Sequence, residues 1–105
     1  MNQRTRRPTH PGAILREDLL PAAGITQAQL AERLGVSRRT VSEILHEYRP
    51  VTTDVAHRLA RVFRTTPAFW LRLQEAVDVW DAFQARKNEY RQIRPLRETA
   101  CSPES

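Results

Sequence analysis

The stretch from Thr26 to His46, TQAQLAERLGVSRRTVSEILH, constrains the fold more tightly than any other part of the chain. It holds two short helical patterns separated by a single glycine. Thr26 stands as an N-cap with Gln29 three residues on, the spacing of a capping box in which each side chain satisfies the other residue's backbone N–H. Leu30, Ala31 and Leu34 then fall on one helical face. Gly35 predicts the stop, because glycine takes the left-handed C-terminal conformation without Cβ strain. Val36 follows as an apolar plug and Ser37 caps a second helix, whose buried face is Val41, Ile44 and Leu45. Ala31 is small where the two helices must cross.

The other face of the second helix carries Arg38, Arg39, Ser42 and His46, all able to hydrogen-bond. A helix propped from behind and polar in front suits the major groove of DNA, which is wide enough to admit it. The pair is therefore read as a helix-turn-helix whose candidate base readers are Ser37, Arg38, Arg39, Ser42 and His46. Arg38 or Arg39 can grip guanine O6 and N7 as a bidentate pair. Gln27 begins the first helix, where the N-terminus favours an anion, and is expected to meet phosphate. Thr40 and Arg49 are assigned to phosphate as well. Glu43 has two readings: an acceptor for cytosine, or a partner for Arg39 one turn away.

The charge distribution agrees. Residues 1–64 hold eleven arginines and six acids and carry the whole net charge of +5, whereas residues 65–105 balance six bases with six acids. The positive half is the half with the motif, and the neutral half suits protein contacts better than phosphate contacts. Of the seventeen basic residues only Lys87 is lysine. Arginine forms planar two-pronged contacts with phosphate and guanine.

Around the motif the chain reads as five helices in one domain, an all-α fold. Residues 1–9, with Arg4, Arg6 and Arg7, are expected to form a flexible basic tail. The first helix is expected over residues 10–20, with Pro11 at its first position, Ile14, Leu15 and Leu19 on its core face, and Pro21 with Gly24 ending it. Arg16, Glu17 and Asp18 look outward. After a loop through Pro50, Thr52 or Thr53 caps a fourth helix with Ala56, Leu59, Ala60 and Phe63 inward. Arg58, Arg61 and Arg64 share a solvated face. Thr66 and Pro67 start a long fifth helix. Its apolar residues exceed what one helix buries in a domain this small, so Trp70, Leu73, Val77, Trp80 and Phe83 are assigned to a dimer surface. The DNA-binding domain with its dimerising helix spans residues 10–83. Residues 84–105 are read as a helix extension, ended by Pro95, and a disordered tail.

No enzyme chemistry is legible. His10, His46 and His57 lack metal-ligand spacing, the lone Cys101 has no partner for a disulfide, and no nucleophile–base set is recognisable. Neither cofactor nor metal is expected. With no long apolar run and no signal-peptide core, the chain is expected to be soluble and cytoplasmic, with no membrane partner.

The helix order, with the motif in the second and third, resembles the Cro/repressor-type (XRE) helix-turn-helix fold. Two further segments sharpen the match. HPGAILRE at residues 10–17 looks like the "HPGEILRE" opening of HigA-type (VapI-like) antitoxins, and RLARVF with TTPAFWLRLQ over residues 58–74 is similar to their "RLA..F.TSP.FWL.LQ" segment. Ala13 stands where an acid is common and Arg64 where the family often has glycine. The resemblance implies a dimer that binds double-stranded operator DNA, represses its own operon and neutralises a HigB-type ribonuclease toxin. The alternative is an orphan XRE-family repressor with no toxin partner.

Overall fold

Five helices and the turns between them make up residues 6–96, the part of the chain described by the computed structural model. We label them α1 (residues 11–23), α2 (Gln27–Leu34), α3 (Arg38–Leu45), α4 (Thr53–Phe63) and α5 (Pro67–Arg91). Cys101 and the expected tail from residue 97 lie outside the described residues.

Helix α1 starts on Pro11, and the Nδ1 of His10 caps it by accepting the Gly12 N–H at 2.9 Å. The expected stop at Pro21 is corrected: the helix runs through that residue to Ala23. A π-turn over Leu15–Leu19 explains the passage. The Leu20 N–H bonds to the carbonyl of Leu15, five residues back. Pro21 then stands at the start of a fresh α-turn, where its missing N–H is not needed. Gly24 ends the helix at φ +69°.

The central pair forms as its sequence predicts. The Thr26–Gln29 capping box is reciprocal, with bonds of 2.8 and 3.1 Å. Gly35 is left-handed at φ +77°, and the Ser37 hydroxyl accepts the Thr40 N–H at 3.0 Å. Leu30, Ala31, Leu34, Val41, Ile44 and Leu45 are all buried. They share one core with Leu15 and Leu20 of α1, Val55, Ala56 and Leu59 of α4, and Trp70 of α5. Thr52, not Thr53, caps α4. Arg64, the residue ending α4, is left-handed at φ +58°.

Helix α5 turns inward two of the residues assigned to the dimer surface. Trp70, Gln74 and Val77 are its buried residues. Trp70 packs against Phe63 and Phe69, and its indole N–H donates to Thr65 Oγ1 at 2.7 Å. Gln74 Oε1 accepts the Val51 N–H at 2.9 Å, pinning α5 to the segment that follows α3. Placing Trp70 and Val77 on a dimer surface is therefore corrected, since both are sealed inside their own chain. Leu73 and Trp80 are half-buried and Phe83 is exposed. The helix extension runs to Arg91, interrupted at Arg86, whose φ/ψ of −132°/23° departs from helical values.

The basic N-terminal segment is not free throughout. Arg7 grips Asp81 of α5 through Nε and Nη2, both at 2.8 Å, and reaches Glu47 through Nη1 at 3.1 Å. Pro8 is buried beside it. From Arg7 onward the expected flexible tail is docked on α5.

Candidate nucleic-acid interface

The front of α3 is built by what supports its back and its ends. Val41, Ile44 and Leu45 fix one face in the core, and Gly12 of α1 approaches so closely that a Cβ there would collide with the Ile44 carbonyl. The C-terminal carbonyl of Leu45 accepts Nη1 of Arg16 at 2.6 Å. Helix α2 is closed the same way, its Leu34 carbonyl accepting Nη1 of Arg58 at 2.8 Å. A cation at a helix C-terminus complements the carbonyl dipoles there. Arg16 and Arg58, expected to be merely solvated, thus hold the motif from outside. Both bonds span more than twenty residues of chain, which no local pattern reveals.

With its back and ends held, α3 presents Arg38 and Arg39 to solvent, Arg39 with 84% of its side chain exposed. Ser37 and His46 are exposed, and Ser42 and Thr40 half-buried. The Ser37 and Thr40 hydroxyls bond each other at 2.9 Å. His46 Nδ1 lies 2.8 Å from the Ser42 carbonyl, so Nδ1 is the donor and, in the neutral ring, Nε2 is left as an acceptor. Gln27 is exposed at the start of α2. Arg49 lies beyond the end of α3 but returns to it. The Tyr48 and Arg49 N–H groups both donate to the Glu43 carbonyl, and Arg49 Nε and Nη2 grip Glu43 Oε1 at 2.9 and 2.7 Å. Arg39 Nε donates to Glu43 Oε2 at 3.0 Å. Of the two readings of Glu43, the pairing with Arg39 is the one present. The guanidinium of Arg39 foremost, then that of Arg49, holds the Glu43 carboxyl below the usual carboxylate range.

Sequence reasoning missed Tyr48. It is 83% exposed and lies 17° from parallel with the His46 ring, their centroids 6.1 Å apart. An aromatic in a polar loop was the available signal. Among the described residues no cluster of three potential metal ligands occurs, and no helix is long and apolar enough to cross a membrane.

The family model for helix-turn-helix proteins matches residues 15–70, from the π-turn of α1 to the tryptophan of α5. The chain belongs to that family. Its HigA branch is equally plain. Antitoxin HigA-1 of Vibrio cholerae is 40% identical over 96 residues, 91% of this chain and 90% of that one. An uncharacterised helix-turn-helix transcriptional regulator of Escherichia coli, YbaQ, is 48% identical over 81 residues, 77% of this chain and 72% of its own length. Among solved structures, Pseudomonas aeruginosa antitoxin HigA with the higBA promoter superposes with a TM-score of 0.82 at 40% identity, covering 87% of this chain and all of that one. The matched residues include the whole of α2 and α3, where the polar front has just been described.

Proposed function

We propose that this HigA-type chain is the antitoxin of a type II toxin–antitoxin module. As a homodimer it binds operator DNA, represses its own operon and neutralises a ribonuclease toxin of the HigB kind. The observation that carries the DNA-binding reading is the state of α3: core-locked behind, clipped at its C-terminus by Arg16, and open in front. Ser37, Arg38, Arg39, Ser42 and His46 read base edges, while Gln27 and Thr40 meet phosphate; Arg49, assigned to phosphate from the sequence, is held by Glu43. The likeness to an antitoxin structure containing promoter DNA supports the same reading.

The dimer reading rests on α5. Removing Trp70 and Val77 from the assigned surface leaves Leu73, Trp80 and Phe83, and Val79 joins them at 63% exposure. Beside them, where α5 meets Pro8, run a mostly apolar groove of about 370 Å³ and one of mixed lining of about 510 Å³. A second copy covering this face gives the protein two recognition helices, one for each of two half-sites about 34 Å apart, one turn of DNA. Toxin neutralisation is supported by the antitoxin relative.

Binding of the chain to its own promoter, set against a random duplex, tests the reading. Arg38→Ala is expected to cost roughly 1–3 kcal/mol on the promoter and to relax preference at one position. An equal loss on both duplexes assigns Arg38 to phosphate. Co-purification with the product of the adjoining reading frame tests the toxin partnership.

A further inference from the structure

An acid on a surface that approaches DNA works against binding, yet Glu43 stands among the predicted contact residues of α3. Both its oxygens are engaged. Oε2 takes Nε of Arg39, and Oε1 takes Nε and Nη2 of Arg49. Stability gives little reason for the arrangement, since exposed ion pairs contribute little to folding. We propose that Glu43 is a positioning residue for DNA selectivity, one carboxylate that orients Arg39 for base reading and withholds Arg49 from indiscriminate phosphate contact. The inference rests on the reading that α3 enters DNA.

The atoms used on each guanidinium carry the distinction. Arg39 is tethered through Nε alone, and its two Nη groups have no protein partner among the described residues. That leaves the end of the fork open, the pair of parallel N–H groups that matches guanine O6 and N7. Arg49 spends its side edge, Nε and Nη2, on a single Glu43 oxygen. The backbone sets this up: Glu47 is left-handed at φ +66°, and the turn brings the Arg49 N–H back to the Glu43 carbonyl at 3.2 Å. The three side chains together present one net positive charge instead of two. Phosphate attraction is common to every sequence, so withholding Arg49 lowers both affinities alike, and the promoter-to-random ratio rests on the orientation of Arg39 for base contact.

The test uses the full chain with two duplexes of equal length, one carrying the promoter of its own operon and one of random sequence, across about 50–200 mM salt. Glu43→Gln removes the charge with little change of shape. Expected is tighter binding to the random duplex and a lower promoter-to-random ratio. The salt dependence should steepen by one phosphate contact per protomer, two for the dimer, about a tenfold larger loss across that range. Glu43→Asp, which keeps the charge, should restore most of the ratio. With Arg39 and Arg49 both replaced by Ala, Glu43→Gln should tighten both duplexes alike and leave the promoter-to-random ratio unchanged. If Glu43→Gln weakens the promoter and leaves random DNA unaffected, Glu43 reads a base itself and the proposal fails. Unchanged affinities and salt slope reduce it to a surface ion pair. Wild-type chain that binds neither duplex in a salt-dependent way removes the DNA-binding reading itself, a result separate from these.

Discussion

Gly12 packs at the first turn of α1 against the Ile44 carbonyl of α3, and its side-chain hydrogen is all the space allows. Gly12→Ala should lower stability by about 1–3 kcal/mol, the usual cost of overpacking, with the midpoint of thermal unfolding as the measurement. Unchanged stability means the two helices part easily. Arg64 is the opposite case, an L-residue at φ +58° where the family often has glycine. Arg64→Gly should stabilise by about 0.5–1 kcal/mol, since the left-handed strain it relieves outweighs the entropy it adds. His10 adds a pH dependence. Burial foremost pushes its pKa below the ordinary 6.5, and its Nδ1 must stay unprotonated to accept the Gly12 N–H. Just below pH 6.5 the unfolded chain therefore binds more protons than the folded one. Stability should be fully present above that pH and fall as the solution is acidified. Denaturant midpoints for wild type and His10→Asn should diverge there, with the variant flatter; parallel curves would count against the assignment.

At the scale of elements, the inward stripe of α5 explains why its packing was hard to read. Trp70, Gln74 and Val77 recur at helical spacing, but the middle member is polar. Phe69, Leu73, Trp80 and Phe83 form a more hydrophobic series, and periodicity alone therefore did not separate Trp70 and Val77, which are core, from the outward apolar residues. Gln74 is inside because the Val51 N–H needs an acceptor there, 23 residues away. Gln74→Leu raises hydrophobicity yet should destabilise by about 1–3 kcal/mol, because it leaves that N–H buried and unpaired. Urea unfolding measures it, and a more stable variant would show that the N–H finds water instead. The π-turn of α1 was concealed for a similar reason. Pro21 was read as a stop because a proline inside a helix has no N–H for the carbonyl four residues back, and nothing local announced the five-residue step that accommodates it.

For the whole molecule, one long helix serves both the core and the outside. Trp70 is fully buried whereas Val79 is 63% exposed, so the two should respond differently. Trp70→Ala should destabilise the fold by about 3–5 kcal/mol. Val79→Arg should leave thermal stability nearly intact and shift the monomer–dimer equilibrium towards monomer in sedimentation. A dimer that survives Val79→Arg places the contact elsewhere. Arg7 ties this helix to the reading end of the molecule by gripping Asp81 and Glu47 together.

The sequence by itself determined the caps, turns and buried faces of the central pair, because capping boxes, left-handed glycines and helical stripes are decided within a few residues of chain. Thr26, Gly35, Ser37 and Ile44 are where that local chemistry put them. Only the tertiary structure decided that Arg16 and Arg58 close the motif's helices, that Gln74 is core, and that Arg7 is clamped to α5. Each of these depends on an acceptor or carboxylate distant in sequence, and an arginine in one stretch of chain carries no mark of which carbonyl will face it after folding.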